Sequence, residues 1–271
     1  MNTTRIAIIG VAAMALALGS CSKDEGGKGH VKGSGGAAKP AGGSGGGGGS
    51  AKKGAYAEGA VANGGTISGT IKYAGAETDP TMDLTKDNSV CGSGTVPSKK
   101  LVAAGGNLEG ALVTLDGITS GKAWGAGGTP TVDNAKCIFV PRFSIGKLGA
   151  EMVTKNSDPV LHNTHLYLMK GEKAKNLKNI ALPNQGQTIP FKMKKPGLMD
   201  VRCDAHEWMQ GWVWVSSHPY ASVTDASGAF TMTDVPAGEY TAKIWHEKLG
   251  DATATVKVDA GGNAKIEHTY N

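Results

Sequence analysis

Residues 202–215 read RCDAHEWMQGWVWV, which places Cys203, His206 and Met209 at the spacing Cys-x2-His-x2-Met. Upstream, the stretch DPVLHNTHLYLM at 158–169 supplies His162. One thiolate, two imidazoles and a weak axial thioether are the donor set suited to copper cycling between Cu(I) and Cu(II). Structural zinc rarely uses methionine. A c-type haem needs Cys-x-x-Cys-His, which is absent. A Cys and a Met near a strand end, taken alone, read equally well as buried core residues. The weight comes from the combination with both histidines and with the Gly211, Val213, Val215 alternation that follows.

The elements that must hold these residues read as strands. Ile67, Ile71 and Tyr73 alternate with Ser68, Thr70 and Lys72, and Val256 and Val258 flank Lys257 in a second alternating run. Turn residues separate the runs at Asp225–Gly228, Pro236–Gly238 and Asp259–Gly262. Three of the four candidate ligands then lie on one short loop between two strands, and His162 comes from a neighbouring strand. If 162–169 is extended, His162, Leu166 and Leu168 share the interior face, while Asn163, His165 and Tyr167 take the other. His165 is therefore expected beside the site or at the surface. The lysine-rich stretch 171–182 reads as a solvated loop or a short helical turn. The fold class expected is all-β, with room for two sandwiches of about 100 residues each.

The stretch 131–217 resembles the cupredoxins, the small blue (type 1) copper proteins of the amicyanin and plastocyanin kind. The resemblance rests on Phe139-Val-Pro141, Gly149, Asn156-Ser-Asp158, His162-Asn163, Gly186, the Phe191 to Gly197 approach and the ligand loop. It implies a Greek-key β-sandwich with one type 1 copper ion held by His162, Cys203, His206 and Met209. It also implies that Asn163 bonds across to the ligand loop, and that His206, on an exposed loop, is the electron port. Asp204 replaces the hydroxyl residue many members carry after the cysteine, and Glu207 replaces a proline. Both add negative charge near the metal, which should favour Cu(II) and lower the potential. With four protein ligands no coordination position stays open for substrate, so an electron carrier rather than an enzyme is expected. Its redox partner protein should dock transiently through a small interface. A copper carrier or store, and a structural β-sandwich protein without a redox role, are the alternatives.

The carboxyl-terminal stretch resembles the carboxypeptidase regulatory-like, transthyretin-like sandwich. The pattern is carried by Thr224, Asp225, Gly228 and Phe230, then Val235, Pro236, Gly238 and Tyr240. Strands of such a module also appear at 65–75 and 108–115. The expected organisation is therefore a sandwich made of 63–130 plus 218–271, with the copper-type block of 131–217 inserted in it. A linear order, with 61–130 belonging to the copper-type block, is the rival.

The amino terminus reads MNTTR, then the apolar run IAIIGVAAMALAL, then GSC. This is export-signal anatomy, and Leu18-Gly19-Ser20-Cys21 resembles a bacterial lipobox. Residues 1–21 are then a signal peptide, Cys21 the lipidated residue, and the location the bacterial cell envelope, periplasmic or at the outer membrane or cell surface. Residues 22–62 form a Gly/Ser/Lys linker too poor in apolar side chains to fold. Six of its lysines face only Asp24, Glu25 and Glu58, so most of the net charge of +5 sits there and the basic balance does not argue for nucleic acid. With Cys21 lipidated and Cys203 a ligand, Cys91 and Cys137 remain as a candidate disulfide in an oxidising compartment.

Overall fold

The computed structural model of the chain describes residues 55–271, so Cys21 and the signal-like segment lie outside the described residues. The chain enters through a two-residue strand β1 (Ala57–Glu58) and the long strand β2 (Gly65–Tyr73). An excursion follows, carrying β3 (Thr81–Asp83), a helical turn α1 (Asn88–Cys91) and β4 (Thr95–Pro97). The chain returns through β5 (Leu112–Asp116) and β6 (Ser120–Gly121). Nine strands come next: β7 (Thr131–Ala135), β8 (Ile138–Val140), β9 (Phe143–Lys147), β10 (Glu151–Asn156), β11 (His162–Lys170), β12 (Lys173–Leu182), β13 (Thr188–Lys192), β14 (Gly197–Arg202) and β15 (Gln210–Ser216). The chain ends in β16 (Ala221–Val223), β17 (Ala229–Val235), β18 (Gly238–His246), β19 (Gly250–Val258) and β20 (Asn263–Tyr270). The fold is all-β, and among the described residues no helix is long and apolar enough to cross a membrane.

Strand pairing divides these elements into two sandwiches. One packs the sheet β16-β5-β18-β19 on the sheet β17-β2-β20. The other packs β13-β10-β7-β8 on β12-β11-β14-β15-β9. Strand β2 has carboxyl-terminal strands on both sides, antiparallel to β17 and parallel to β20. The sandwich of 131–216 is thus inserted in the chain of the other. Alternation explains the local structure: Ile67 and Ile71 on β2 are fully buried, together with Val113, Ile244 and Val235. Gly69 interrupts the pattern because the β20 backbone approaches there; a Cβ at Gly69 would stand 1.9 Å from the Ile266 carbonyl oxygen.

The second sandwich has its own core of Val132, Met152, Leu166, Leu182, Met199, Val213 and Val215. Each such side chain taken from water stabilises the fold by about 1.5–3 kcal/mol, so each sheet pair supports a rigid frame. The two sandwiches meet through aromatic rings: Trp212 lies edge-on to Trp245 at 5.0 Å, and Phe143 to the same ring at 6.0 Å. Beside them Arg142 pairs with the buried carboxylate of Glu247.

Two local readings of the sequence are corrected. The stretch expected as a solvated loop or helical turn is β12, ten residues paired along the whole of β11. Its lysines face solvent on an edge strand, so only Ile180 and Leu182 carry a buried signal. The last residues assigned to the linker, 55–62, are also held: β1 pairs in parallel with β6, and the Tyr56 hydroxyl donates to the Lys122 carbonyl at 2.8 Å. The Gly59 amide donates to the Gly121 carbonyl at 2.8 Å, and Glu58 pairs with Lys147 at 2.7 Å.

The excursion does not stay with the sandwich that flanks it in sequence. Met82, Leu84, Val90 and Val96 pack against the core of the inserted sandwich. A disulfide between Cys91 and Cys137 ties α1 to the β7–β8 turn.

Candidate metal centre

Strands β14 and β15 are antiparallel neighbours that pair Arg202 with Gln210. The residues between them, 203–209, must therefore turn back within one tight loop. The loop is closed by the Met209 amide donating to the His206 carbonyl at 2.9 Å, and by the longer Cys203 amide to Met209 carbonyl contact at 3.4 Å. His162 opens β11, the neighbour of β14, so it faces the same end of the sandwich. All four side chains are out of solvent: His162 and His206 have no exposed surface, and Cys203 and Met209 are each 2 % exposed.

Three donor atoms converge. His162 Nδ1 lies 3.8 Å and His206 Nδ1 3.7 Å from Cys203 Sγ, and the two Nδ1 atoms are 3.0 Å apart. Each outer ring nitrogen meets a carboxylate, His162 Nε2 at 2.9 Å from Asp158 Oδ2 and His206 Nε2 at 2.9 Å from Asp87 Oδ2. An ionised carboxylate can only accept, so both Nε2 atoms donate, and in the neutral imidazole each Nδ1 then carries the lone pair. In the neutral rings two lone pairs then face each other at 3.0 Å beside the Cys203 sulfur. A cation among the three atoms removes that repulsion, and the three donors form one His, Cys, His cluster of buried ligand atoms, so the residues fit a metal ion. Burial drives the Cys203 thiol pKa up and the His162 pKa down. A buried thiolate accordingly needs the positive charge a metal supplies.

The surrounding groups fix the ligands. Asp158 is itself held, accepting from the Lys136 and Cys137 amides at 2.8 Å each. Asn163 Oδ1 accepts from the Asp204 and Ala205 amides at 2.8 and 3.2 Å, and the Asn163 amide points at Cys203 Sγ at 3.5 Å. Carboxylate partners on metal-bound histidines set ring orientation and raise ligand basicity.

The other sequence candidates sort as follows. His165 turns away from the centre: its Nδ1 lies 2.9 Å from both oxygens of Asp204, and Asn176 meets its Nε2. Asp204 thus spends its charge on His165 and on Asn179, whose amide donates at 2.7 Å. Trp208 packs on the His206 ring at 5.0 Å and donates from Nε1 to the Cys137 carbonyl, whereas Trp212 belongs to the junction with the other sandwich. Cys203 is the free cysteine among the described residues, and Cys137, though close to Asp158 and His162, has its sulfur in the disulfide.

One expectation is overturned. His206 was expected at the surface as an electron port, but its ring is fully buried. The excursion lies over it, with Asp87 on its Nε2 and Cys91 Sγ 3.9 Å from the same nitrogen. Sequence reasoning missed both carboxylates. Asp158 stood four residues before His162 and was open to notice as a histidine partner. Asp87 is 119 residues from His206, and no local pattern connects them.

A family model described as polysaccharide lyase family 4, domain II, a fibronectin-like β-sandwich, matches residues 204–266. That span runs from the ligand loop into β20 and is less than a quarter of the chain. Among curated proteins, none matches this chain in sequence. Solved structures similar to it include amicyanin, a purple cupredoxin and a copper-containing nitrite reductase. The oxidised state of an amicyanin mutant is 26 % identical, over 38 % of this chain and 98 % of that one, with a TM-score of 0.29. A purple cupredoxin from Nitrosopumilus maritimus is 21 % identical, over 32 % and 99 %, with a TM-score of 0.27. A copper-containing nitrite reductase from Thermus scotoductus SA-01 is 18 % identical over 32 % of this chain, with a TM-score of 0.26. The chain spans about a fifth of the length of that reductase, the matched share being 22 %.

Proposed function

We propose that this protein is a lipid-anchored bacterial envelope protein that binds one type 1 copper ion and passes single electrons between protein partners. The observation that carries the reading is the convergence of His162 Nδ1, His206 Nδ1 and Cys203 Sγ, with both outer nitrogens already committed to carboxylates. His162, Cys203 and His206 would hold the ion, together with the thioether of Met209, buried on the same loop. Bound copper would supply reversible one-electron chemistry between Cu(I) and Cu(II).

The chain's own contribution is rigidity. His162 is fixed by Asp158, His206 by Asp87, and the Cys203 loop by Asn163, so the donors need not rearrange when the charge at their centre changes. Trp208 and the overlying excursion keep water out, which favours a carrier over a catalyst that must admit substrate. The lipid anchor rests on Cys21 and the residues before it, and the transient protein partner on the absence of an open ligand position.

Adding Cu(II) to a soluble fragment beginning after Cys21 should produce an intense visible thiolate-to-copper absorption band. The Cys203→Ser protein should lack it. A colourless wild type would overturn the reading. Retention of copper against a chelator through repeated reduction and reoxidation marks an electron carrier; rapid loss marks a metal carrier instead.

A further inference from the structure

Asp87 occupies a strained position and does not use it for its own helix. It precedes α1 at the N-cap, with φ 50° and ψ 41°, the left-handed region that non-glycine residues seldom enter. An aspartate there ordinarily caps the first turn with its carboxylate, yet no such side-chain bond is made. Its carboxylate instead reaches His206 Nε2 at 2.9 Å. Four residues on, Cys91 is bonded to Cys137, whose carbonyl accepts from Trp208 Nε1 and whose amide donates to Asp158. Leu84 and Val90 bury against the core below. The Asn88 side chain closes the turn by donating to the Leu84 and Gly92 carbonyls at 3.1 and 2.8 Å.

We infer that segment 79–98 is a covalently latched cap on the metal centre, in which Asp87 is the positioning residue for His206. This rests on the copper-binding reading above. Asp87 holds the His206 ring in the tautomer with hydrogen on Nε2, leaving Nδ1 to face the metal. The disulfide, four residues on, holds Asp87 in reach. His206 belongs to the inserted sandwich and Asp87 to an excursion of the flanking one, so the centre is complete only when the two parts of the chain are docked. Hydrogen-bond partners of metal-bound histidines, when removed, typically cost about 10–100-fold in metal affinity.

The test uses the chain from Ser22 onward and three variants, Asp87→Ala, Asp87→Asn and the double variant Cys91→Ser with Cys137→Ser. Three readouts are taken: the 15N shifts of the His206 ring in the metal-free protein, amide exchange at 87–92, and the rate of copper loss to a chelator. Wild type should show a single His206 tautomer. Asp87→Ala should mix the tautomers and speed copper loss about tenfold, while Asp87→Asn, which keeps an oxygen acceptor, should restore both. The double variant should raise amide exchange at 87–92 and speed copper loss with Asp87 intact. Wild-type behaviour of Asp87→Ala, or equal behaviour of the alanine and asparagine variants, overturns the assignment of Asp87. An unchanged rate in the double variant overturns the latch. A blue wild type with any of these results leaves the copper reading standing and removes only the cap; a colourless wild type removes the reading itself, and the tautomer readout still judges Asp87.

Discussion

Asn163 Oδ1 accepts the backbone amide of Asp204 at 2.8 Å, and the same oxygen takes the Ala205 amide at 3.2 Å. One side chain on β11 thereby satisfies two amides of the ligand loop, which has few backbone partners of its own. Asn163→Ala leaves both donors without their partner. We expect a loss of about 1–3 kcal/mol, seen as a lower urea midpoint for the metal-free protein with an unchanged m-value. A midpoint equal to wild type would show that the loop holds itself.

Asp204 and Glu207 place two carboxylates at the exposed positions of the ligand loop. Their charge favours the more positive state of the centre, so Asp204→Ser and Glu207→Pro should each raise the reduction potential. Both groups are solvent-screened, and Asp204 is shared with His165 and Asn179. The shifts should therefore shrink as salt is added. Potentials unchanged or lowered in both variants would remove the idea.

The Cys91–Cys137 disulfide spans a sequence separation of 46 residues. A closed loop of that length restricts the unfolded chain by about 4 kcal/mol on the chain-entropy account. Replacing both cysteines by serine should lower stability by an amount of that order in calorimetry or denaturant melts. A loss below about 1 kcal/mol would mean that the excursion stays ordered in the unfolded chain or is held by its apolar contacts alone.

His246 is 3 % exposed, and burial first, then the neighbouring Arg142 guanidinium, pushes its pKa from 6.5 to about 4. Its neutral form is the one the fold accepts. Between pH 6.5 and 4 the unfolded chain binds a proton that the folded chain does not, so stability falls as pH falls through that window. The single-site contribution is of order 3 kcal/mol. Burial lowers His162 and His218 as well, so they add to the slope in the same direction. Denaturant melts of metal-free wild type and His246→Gln at pH 7 and 4.5 should show a shallower pH dependence in the variant. Equal slopes would remove His246 as a contributor.

The sequence by itself determined what local periodicity and spacing can carry. Alternation identified strands at 66–73, 211–215 and 251–258, because a strand half-buried on a sheet shows its burial every second residue. Cys203, His206 and Met209 were legible because one tight loop brings them together. His162 was legible from its place on the interior face of an alternating run. Where that signal thinned, at the lysine-faced edge strand 173–182, the strand went unread.

Tertiary structure alone decided the rest. Whether the two sandwiches were nested or sequential depended on β2 choosing β17 and β20 as neighbours, distant pairings such as Ile67 with Met232 and Thr66 with Asn263 that leave no local trace. The burial of His206 was likewise settled from afar. Asp87 and Cys91 on the excursion meet the ring at Nε2, while Trp208 of its own loop packs on its face. Side-chain type and spacing are written along the chain, but which distant segment lies over a site follows from how the packed sheets and their crossings bring that segment home.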